Sequence, residues 1–173
     1  WYAGPSLIEA RRALSGPPDE SWLRGLLGQL LGALEAYHRV GRVHGGLHPA
    51  QVMFLADGRA LLLGPAAAQR ALAGPAMPQG PWTDFHALAQ VARYCITGMM
   101  PPLVPPATEE PLAATVQRLF FDLPSVRYSD ALLRTLDAAL SPAMAERPQT
   151  AARFREGLDG VKASRVGRSP LEV

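Results

Sequence analysis

The chain contains no asparagine, a single lysine (Lys162) beside sixteen arginines, and a single cysteine, Cys95. One cysteine excludes an internal disulfide framework and suits a reducing compartment. Charged residues make up only 18% of the 173 positions, and the net charge is +2 with the arginines scattered. No basic stripe for nucleic acid is therefore present. No apolar run approaches the ~18 residues that a membrane span needs, so a membrane is expected only through flanking segments. Nothing reads as a signal peptide, and a start at Trp1 without Met leads us to expect a fragment of a longer protein.

What is present suffices for one globular core. Hydrophobic residues account for 48% of the chain, and its length suits a single domain. Ala, Leu, Gly, Pro and Arg dominate, a bias that fits a GC-rich, bacterial coding sequence and gives the arginine excess no functional weight. Pro5 to Leu14 reads as a short helix ended by Gly16-Pro17-Pro18. Asp19 or Ser21 then caps a long helix in which Trp22, Leu23, Leu26, Leu27, Leu30, Leu31, Leu34 and Tyr37 recur at helical spacing. Gly25, Gly28 and Gly32 each cost that helix up to ~1 kcal/mol against Ala, so something is expected to pack closely against them. Val52–Leu55 and Arg59–Leu63 flank Ala56-Asp57-Gly58, a strong hairpin signal.

Residues 64–82 are rich in Ala, Gly and Pro and read as loop. Thr83 is the expected cap of a helix from Asp84 to about Thr97. Its apolar residues Phe85, Leu88, Ala89, Val91, Ala92, Cys95 and Ile96 run all round it, as in a buried helix. Gly98 stops it, and Pro101, Pro102, Pro105 and Pro106 make a stiff connection. Further helices are expected at about 110–121, at 130–140 after Ser129 and at 150–160 after Thr150. The stretch 162–173 has no periodicity and reads as a flexible basic tail carrying Lys162, Arg165 and Arg168, which leaves 1–161 as the domain.

The richest stretch is Gly41-Arg42-Val43-His44-Gly45-Gly46-Leu47-His48-Pro49-Ala50-Gln51-Val52-Met53-Phe54. It resembles a protein-kinase catalytic loop, H-R-D-L-x-x-x-N, in which the Asp accepts the substrate proton and the Asn holds Mg²⁺. His44, Leu47 and the following Pro49 keep their places. The Arg position is Gly45, the Asp position is Gly46 and the Asn position is Gln51. The order of elements resembles the C-terminal lobe of bacterial Ser/Thr kinases from end to end. Gly4-Pro5-Ser6-Leu7 is similar to the segment after the hinge, and Tyr37-His38 to the approach to the loop. The hairpin's second strand runs into Gly64-Pro65-Ala66 where a kinase has D-F-G. Asp84-Phe85-His86-Ala87-Leu88 resembles the start of the central buried helix, and Glu146-Arg147-Pro148-Gln149 the pattern before the last one. The glycine-rich loop, strand lysine and helix glutamate of an N-terminal lobe have no counterpart.

The resemblance implies a mainly α fold, a kinase-like C-lobe with a helical bundle around a buried central helix and a small β-hairpin. It also implies a pseudokinase. The base position is Gly46, the first metal position Gly64 and the second Gln51, whose extra methylene displaces its oxygen by more than ~1 Å. His48 takes the place of the catalytic-loop lysine, and a histidine gains its charge around its ordinary titration range, about pH 6.5, and below. Between Glu35 and Asp84 the only carboxylate is Asp57, which the hairpin accounts for. No catalytic, cofactor or metal site is expected. His38, His44 and His48 have no metal-site spacing and read as structural histidines. Three anchors are expected to survive: His44, Asp84 as a charged cap on the loop backbone, and Arg147. The usual Glu partner of Arg147 is replaced by an amide in the nearest match, Met77-Pro78-Gln79.

Met99-Met100 is expected to pack the end of the buried helix. Leu119-Phe120-Phe121 with Leu123 is read first as core and second as a partner surface. The basic tail is read as a solvated linker rather than a juxtamembrane stretch. The leading expectation is a catalytically inactive protein-interaction or scaffold module in bacterial signalling. It would be cytoplasmic, either free or as part of a membrane-anchored protein, and would bind protein partners through 41–51 and 64–81 or through helices at 110–125. The alternatives are a nucleotide-responsive sensor that binds ATP without Mg²⁺ through a lobe upstream of Trp1, and an unconventional kinase dependent on His48.

Overall fold

The computed structural model describes residues 4–64, 79–102, 109–123 and 125–160. The readings on most of the 64–82 loop, on Pro105-Pro106 and on the 162–173 tail lie outside those residues.

Ser6 opens α1 (Leu7–Ala13) with a reciprocal cap: its hydroxyl accepts from Glu9 N at 3.2 Å, and Ser6 N donates to Glu9 Oε2 at 2.7 Å. Just before it, Phe54 N donates to Pro5 O at 2.9 Å, laying the entering chain against the hairpin. Gly4 allows this approach, because a Cβ there would run into the Phe54 carbonyl.

The long helix α2 (Glu20–Arg39) is capped by Asp19, whose carboxylate accepts from Trp22 N at 2.8 Å. Leu23, Leu26, Leu27, Leu30, Leu31 and Leu34 form its buried face. The close packing expected at Gly25, Gly28 and Gly32 is not found: nothing lies within 4 Å of a Cβ built at any of them. Gly25 and Gly28 are exposed and Gly32 half-buried, so their propensity cost is not offset by a close approach.

Strands β1 (Val52–Phe54) and β2 (Ala60–Leu62) pair antiparallel, with Val52 opposite Leu62 and Phe54 opposite Ala60. Asp57 fixes the turn by accepting from Arg59 N at 3.1 Å and Arg59 Nε at 2.7 Å. Gly58 takes the left-handed φ of 82° that the turn requires.

Helix α3 (Pro81–Thr97) starts earlier than expected. Gly80 is the N-cap, and Pro81 supplies a first helical residue whose φ is already set. Thr83 therefore lies inside the first turn rather than capping it, and its hydroxyl accepts from Gly80 N at 3.4 Å. The helix ends at Gly98, φ 75°, whose N–H donates to Tyr94 O at 2.8 Å. It packs against α2, α4 (Leu112–Leu119) and α5 (Asp130–Leu140), and α6 (Ala151–Leu158) closes the bundle against α2 and α5. Leu30, Leu34, Phe85, Leu88, Ile96, Leu132, Leu136 and Phe154 are fully buried at the centre. Full burial of one such side chain contributes roughly 1.5–3 kcal/mol.

Polar caps tie the helices together. Asp137 of α5 accepts from Leu112 N at 2.5 Å and Ala113 N at 3.4 Å, closing the start of α4. Glu20 of α2 accepts from Ser129 N at 2.5 Å and Ser129 Oγ at 2.7 Å, holding the cap of α5.

Two expected core contacts are corrected. Met99 and Met100 are about half exposed, because the left-handed turn at Gly98 carries the chain off the helix axis. Phe120 packs against the core, but Phe121 is 82% exposed and Leu119 and Leu123 are nearly half exposed. The inward face of α4 is already filled by Leu112, Thr115 and Val116, and the helix ends before Phe121 can join it. Among the described residues, no helix is long and apolar enough to cross a membrane.

Candidate functional site

The loop between α2 and β1 is held from behind by one side chain. Asp84, in the first turn of α3, is fully buried. Its Oδ2 accepts from His44 N at 2.8 Å and its Oδ1 from Gly45 N at 2.8 Å. His38 Nε2, near the end of α2, lies 2.8 Å from the same Oδ2 and donates to it. Three donors from two segments thus converge on one carboxylate.

His44 is buried, and its Nε2 donates to Leu63 O at 2.8 Å just past β2. Its Nδ1 has no hydrogen-bond partner. Aromatic contacts extend the cluster: Tyr37 meets His44 edge-on at 5.2 Å between ring centroids, and His38 meets Phe85 edge-on at 5.4 Å. Phe85 in turn packs on Phe154 of α6 at 5.9 Å. The loop is therefore anchored to α2, α3 and the hairpin together.

No known family profile and no curated protein sequence matches the chain. Among solved structures it is similar to the apo form of PpkA-294, a bacterial Ser/Thr kinase fragment, at 24% identity and a TM-score of 0.66. The match covers 91% of this chain and 61% of that one. The chain has a kinase-like fold. The architecture is that of a kinase C-lobe, mainly helical around α3 with one hairpin at its edge.

Within this kinase-like frame, Gly45 has φ 66°, and a Cβ built on it would touch Gln79 Oε1 at 3.7 Å. The left-handed backbone gives that glycine a conformational reason that the motif comparison did not supply. Gly46 follows, half-buried and without a side chain. His48 caps the short 3₁₀ turn Pro49–Gln51, its Nδ1 accepting from Ala50 N at 3.2 Å. Burial lowers its pKa below the ordinary histidine range, so at neutral pH it is an uncharged cap. Gln51 is held at both backbone groups, donating to His48 O and accepting from Leu63 N, each at 2.8 Å. Gly64 is exposed, with nothing within 4 Å of a Cβ built on it.

Arg147 lies apart from this cluster. Its Nε donates to Ser141 O at 2.7 Å, satisfying a carbonyl at the end of α5, and burial lowers its pKa. Met77 and Pro78 lie outside the described residues. Beside Arg147, the half-buried His86 donates from Nδ1 to Ala139 O at 3.1 Å. Burial first, and the charge of Arg147 second, push the His86 pKa down. The other carboxylates considered from sequence are engaged elsewhere: Asp57 by Arg59 in the turn and Glu35 by Arg155 at 3.1 Å. Among the described residues, Asp84 is the one carboxylate hydrogen-bonded to the loop. Sequence reading named Asp84, His44 and His38, but it missed the carbonyl of Leu63, since a backbone acceptor leaves no trace in residue identity.

Proposed function

We propose that the chain is a catalytically inactive, kinase-like platform that binds partner proteins in bacterial signalling. The want of any further carboxylate at the loop carries this reading: among the described residues Asp84 is the one carboxylate hydrogen-bonded to it, and Asp84 is committed to holding the backbone. Its oxygens hold His44 N, Gly45 N and His38, and its full burial leaves no lone pair facing a substrate or Mg²⁺. Phosphoryl transfer needs a proton acceptor beside the substrate hydroxyl and oxygen ligands for the metal. Glycine stands at the acceptor position, Gly46, and at the first metal position, Gly64, while Gln51 stands at the second. The fold-holding half of the loop is kept and the reacting half is absent.

Partner binding is supported by the surface around α4. Phe121, with Leu119 and Leu123, is an apolar group left in solvent beside a rigid bundle, the type of residue that anchors interfaces.

Calorimetric titration of ATP, with and without Mg²⁺, tests the reading on the chain and on any longer form of it that carries an N-terminal lobe. Absence of heat at millimolar nucleotide supports the inactive platform. Micromolar binding that ignores Mg²⁺ replaces it with the nucleotide sensor. Binding that requires Mg²⁺ overturns the assignment of Gly46, Gln51 and Gly64 as lost ligands. For the partner arm, Phe121→Asp is expected to leave the melting temperature unchanged and to abolish retention of a partner identified by crosslinking.

A further inference from the structure

Six of the nine large hydrophobic side chains that stand exposed among the described residues share one end of the bundle: Leu14, Met99, Met100, Leu119, Phe121 and Leu123. Contacts fix that placement. Arg11 Nε donates to Cys95 O at 2.6 Å, which joins the end of α1 to the end of α3. Tyr128 OH donates to Pro18 O at 2.6 Å, and Ser129 donates to Glu20, which joins the start of α5 to the start of α2. Tyr128 ties the two pairs together: burial raises its pKa to about 12, and the charges of Arg11, Asp19 and Glu20 all reach its phenol. Residues 119–123 lead into the same end through two tight turns, in which Leu123 N donates to Phe120 O at 3.0 Å and Val126 N to Leu123 O at 2.9 Å. Helix α6 ends here too, since a Cβ on Gly160 would lie 3.5 Å from that of Ala131 at the start of α5.

Two features of the sequence meet at this end. No charged residue occurs between Arg93 and Glu109, so the chain that leaves α3 through Met99 and Met100 is uncharged and rich in proline. Beyond Gly160 come Lys162, Arg165 and Arg168 against one carboxylate, Glu172. On sequence alone that stretch reads as a solvated linker, but its root lies beside the exposed apolar loops. The carboxylates of the described end are Asp19, Glu20, Asp122, Asp130 and Asp159, and Arg11, Arg12, Arg24, Arg127 and Arg134 balance them. The excess positive charge therefore comes from residues 162–173. The apolar side chains belong to three separate loops, and such scatter suits a fluid apolar phase, whereas a folded partner needs a shaped complement. Cations next to apolar side chains match anionic headgroups above acyl chains.

We propose that this end of the bundle seats on an anionic lipid surface, with Phe121, Met99 and Met100 entering the headgroup layer and Lys162, Arg165 and Arg168 on the lipid phosphates. Asp122, between Phe121 and Leu123, is the carboxylate that opposes this docking. The inference goes beyond the partner-protein reading and does not rest on it. Vesicles contain no protein, so its test succeeds or fails apart from the capture of a partner.

The test is co-sedimentation of the whole chain with vesicles of equal parts phosphatidylglycerol and phosphatidylcholine, against vesicles of phosphatidylcholine alone. Binding is expected for the anionic vesicles and is expected to weaken with salt. Met99→Ser, Met100→Ser and Phe121→Ser together are expected to lower affinity at least about tenfold, as are Lys162→Gln, Arg165→Gln and Arg168→Gln together. Val40→Ser with Leu61→Ser removes exposed apolar side chains elsewhere and is expected to leave affinity within about twofold. Asp122→Asn is expected to raise it. Failure of the anionic vesicles to bind, equal binding of the neutral ones, full binding by either triple variant, or an equal loss in the Val40 and Leu61 variant would overturn the proposal. Capture of a protein through Phe121 with no vesicle binding would make this end a protein surface and overturn it as well.

Discussion

Replacing Asp84 with alanine is the sharpest perturbation of the loop. The carboxylate is fully buried and accepts three hydrogen bonds of 2.8 Å, two of them from the main chain. A hydrogen bond to a charged group contributes about 1.5–3 kcal/mol, and an orphaned buried donor costs about 1–3 kcal/mol. His44 N is buried and would find no water, whereas Gly45 N is partly open and would recover one. The expected loss is therefore about 3–5 kcal/mol, a large share of the roughly 5–15 kcal/mol that holds a domain together. Asn at the same position keeps one acceptor and turns an NH₂ toward the second donor, so it is expected to cost about 1–3 kcal/mol. Urea unfolding reads both values, provided the slope is unchanged between variants. Hydrogen exchange should show His44 and Gly45 amides losing protection before those of α3. Asp57→Ala removes an exposed carboxylate from the hairpin turn and is the control, expected to cost less than about 1 kcal/mol. If Asp84→Ala is no more destabilising than Asp57→Ala, the loop is not held by Asp84.

Other expectations follow from particular positions. Gly157→Ala should destabilise by about 1–3 kcal/mol through the clash with Thr135, and Thr135→Ala in the same chain should recover most of it, both read as urea midpoints. Gly25→Ala and Gly28→Ala should each raise stability by up to about 1 kcal/mol, because nothing occupies the space of the added Cβ; a loss in thermal unfolding would contradict the open surface. Stability should also fall with acid. His86 and His48 have folded pKa values below the ordinary one, chiefly through burial, so the unfolded chain binds more protons as pH drops. Their contribution is complete above about pH 6.5 and is lost as pH falls through the lowered folded values; unfolding midpoints between about pH 7 and pH 5 should show the slope, reduced in His86→Gln.

Much of this architecture was legible in the residues because it rests on local chemistry. Asp19, Ser129 and Thr150 cap helices where expected, Asp57-Gly58 turns the hairpin, and the leucines of α2 reveal their buried face by spacing alone. Asp84 was readable through the motif around it. The misreadings concern what surrounds a residue rather than the residue itself. Gly25 and Gly28 suggested a close neighbour, but helix period alone does not say which side of α2 the neighbour occupies. Thr83 looked like a cap because Ser and Thr prefer that place, and Pro81 took precedence by starting the helix earlier. Phe121 looked like core by composition, yet the length of α4 decided which of two adjacent aromatics turned inward. The close approach of α5 and α6 had no sequence signal, since it brings together a glycine, Gly157, and a threonine, Thr135, from two helices.

The most direct test of the central claim is transfer of radiolabelled γ-phosphate from ATP and Mg²⁺, to a generic protein substrate and to the chain itself, assayed with any N-terminal lobe in place. The account predicts no transfer above a protein-free blank. Transfer that disappears in His48→Ala would contradict it and make this loop an unconventional catalyst.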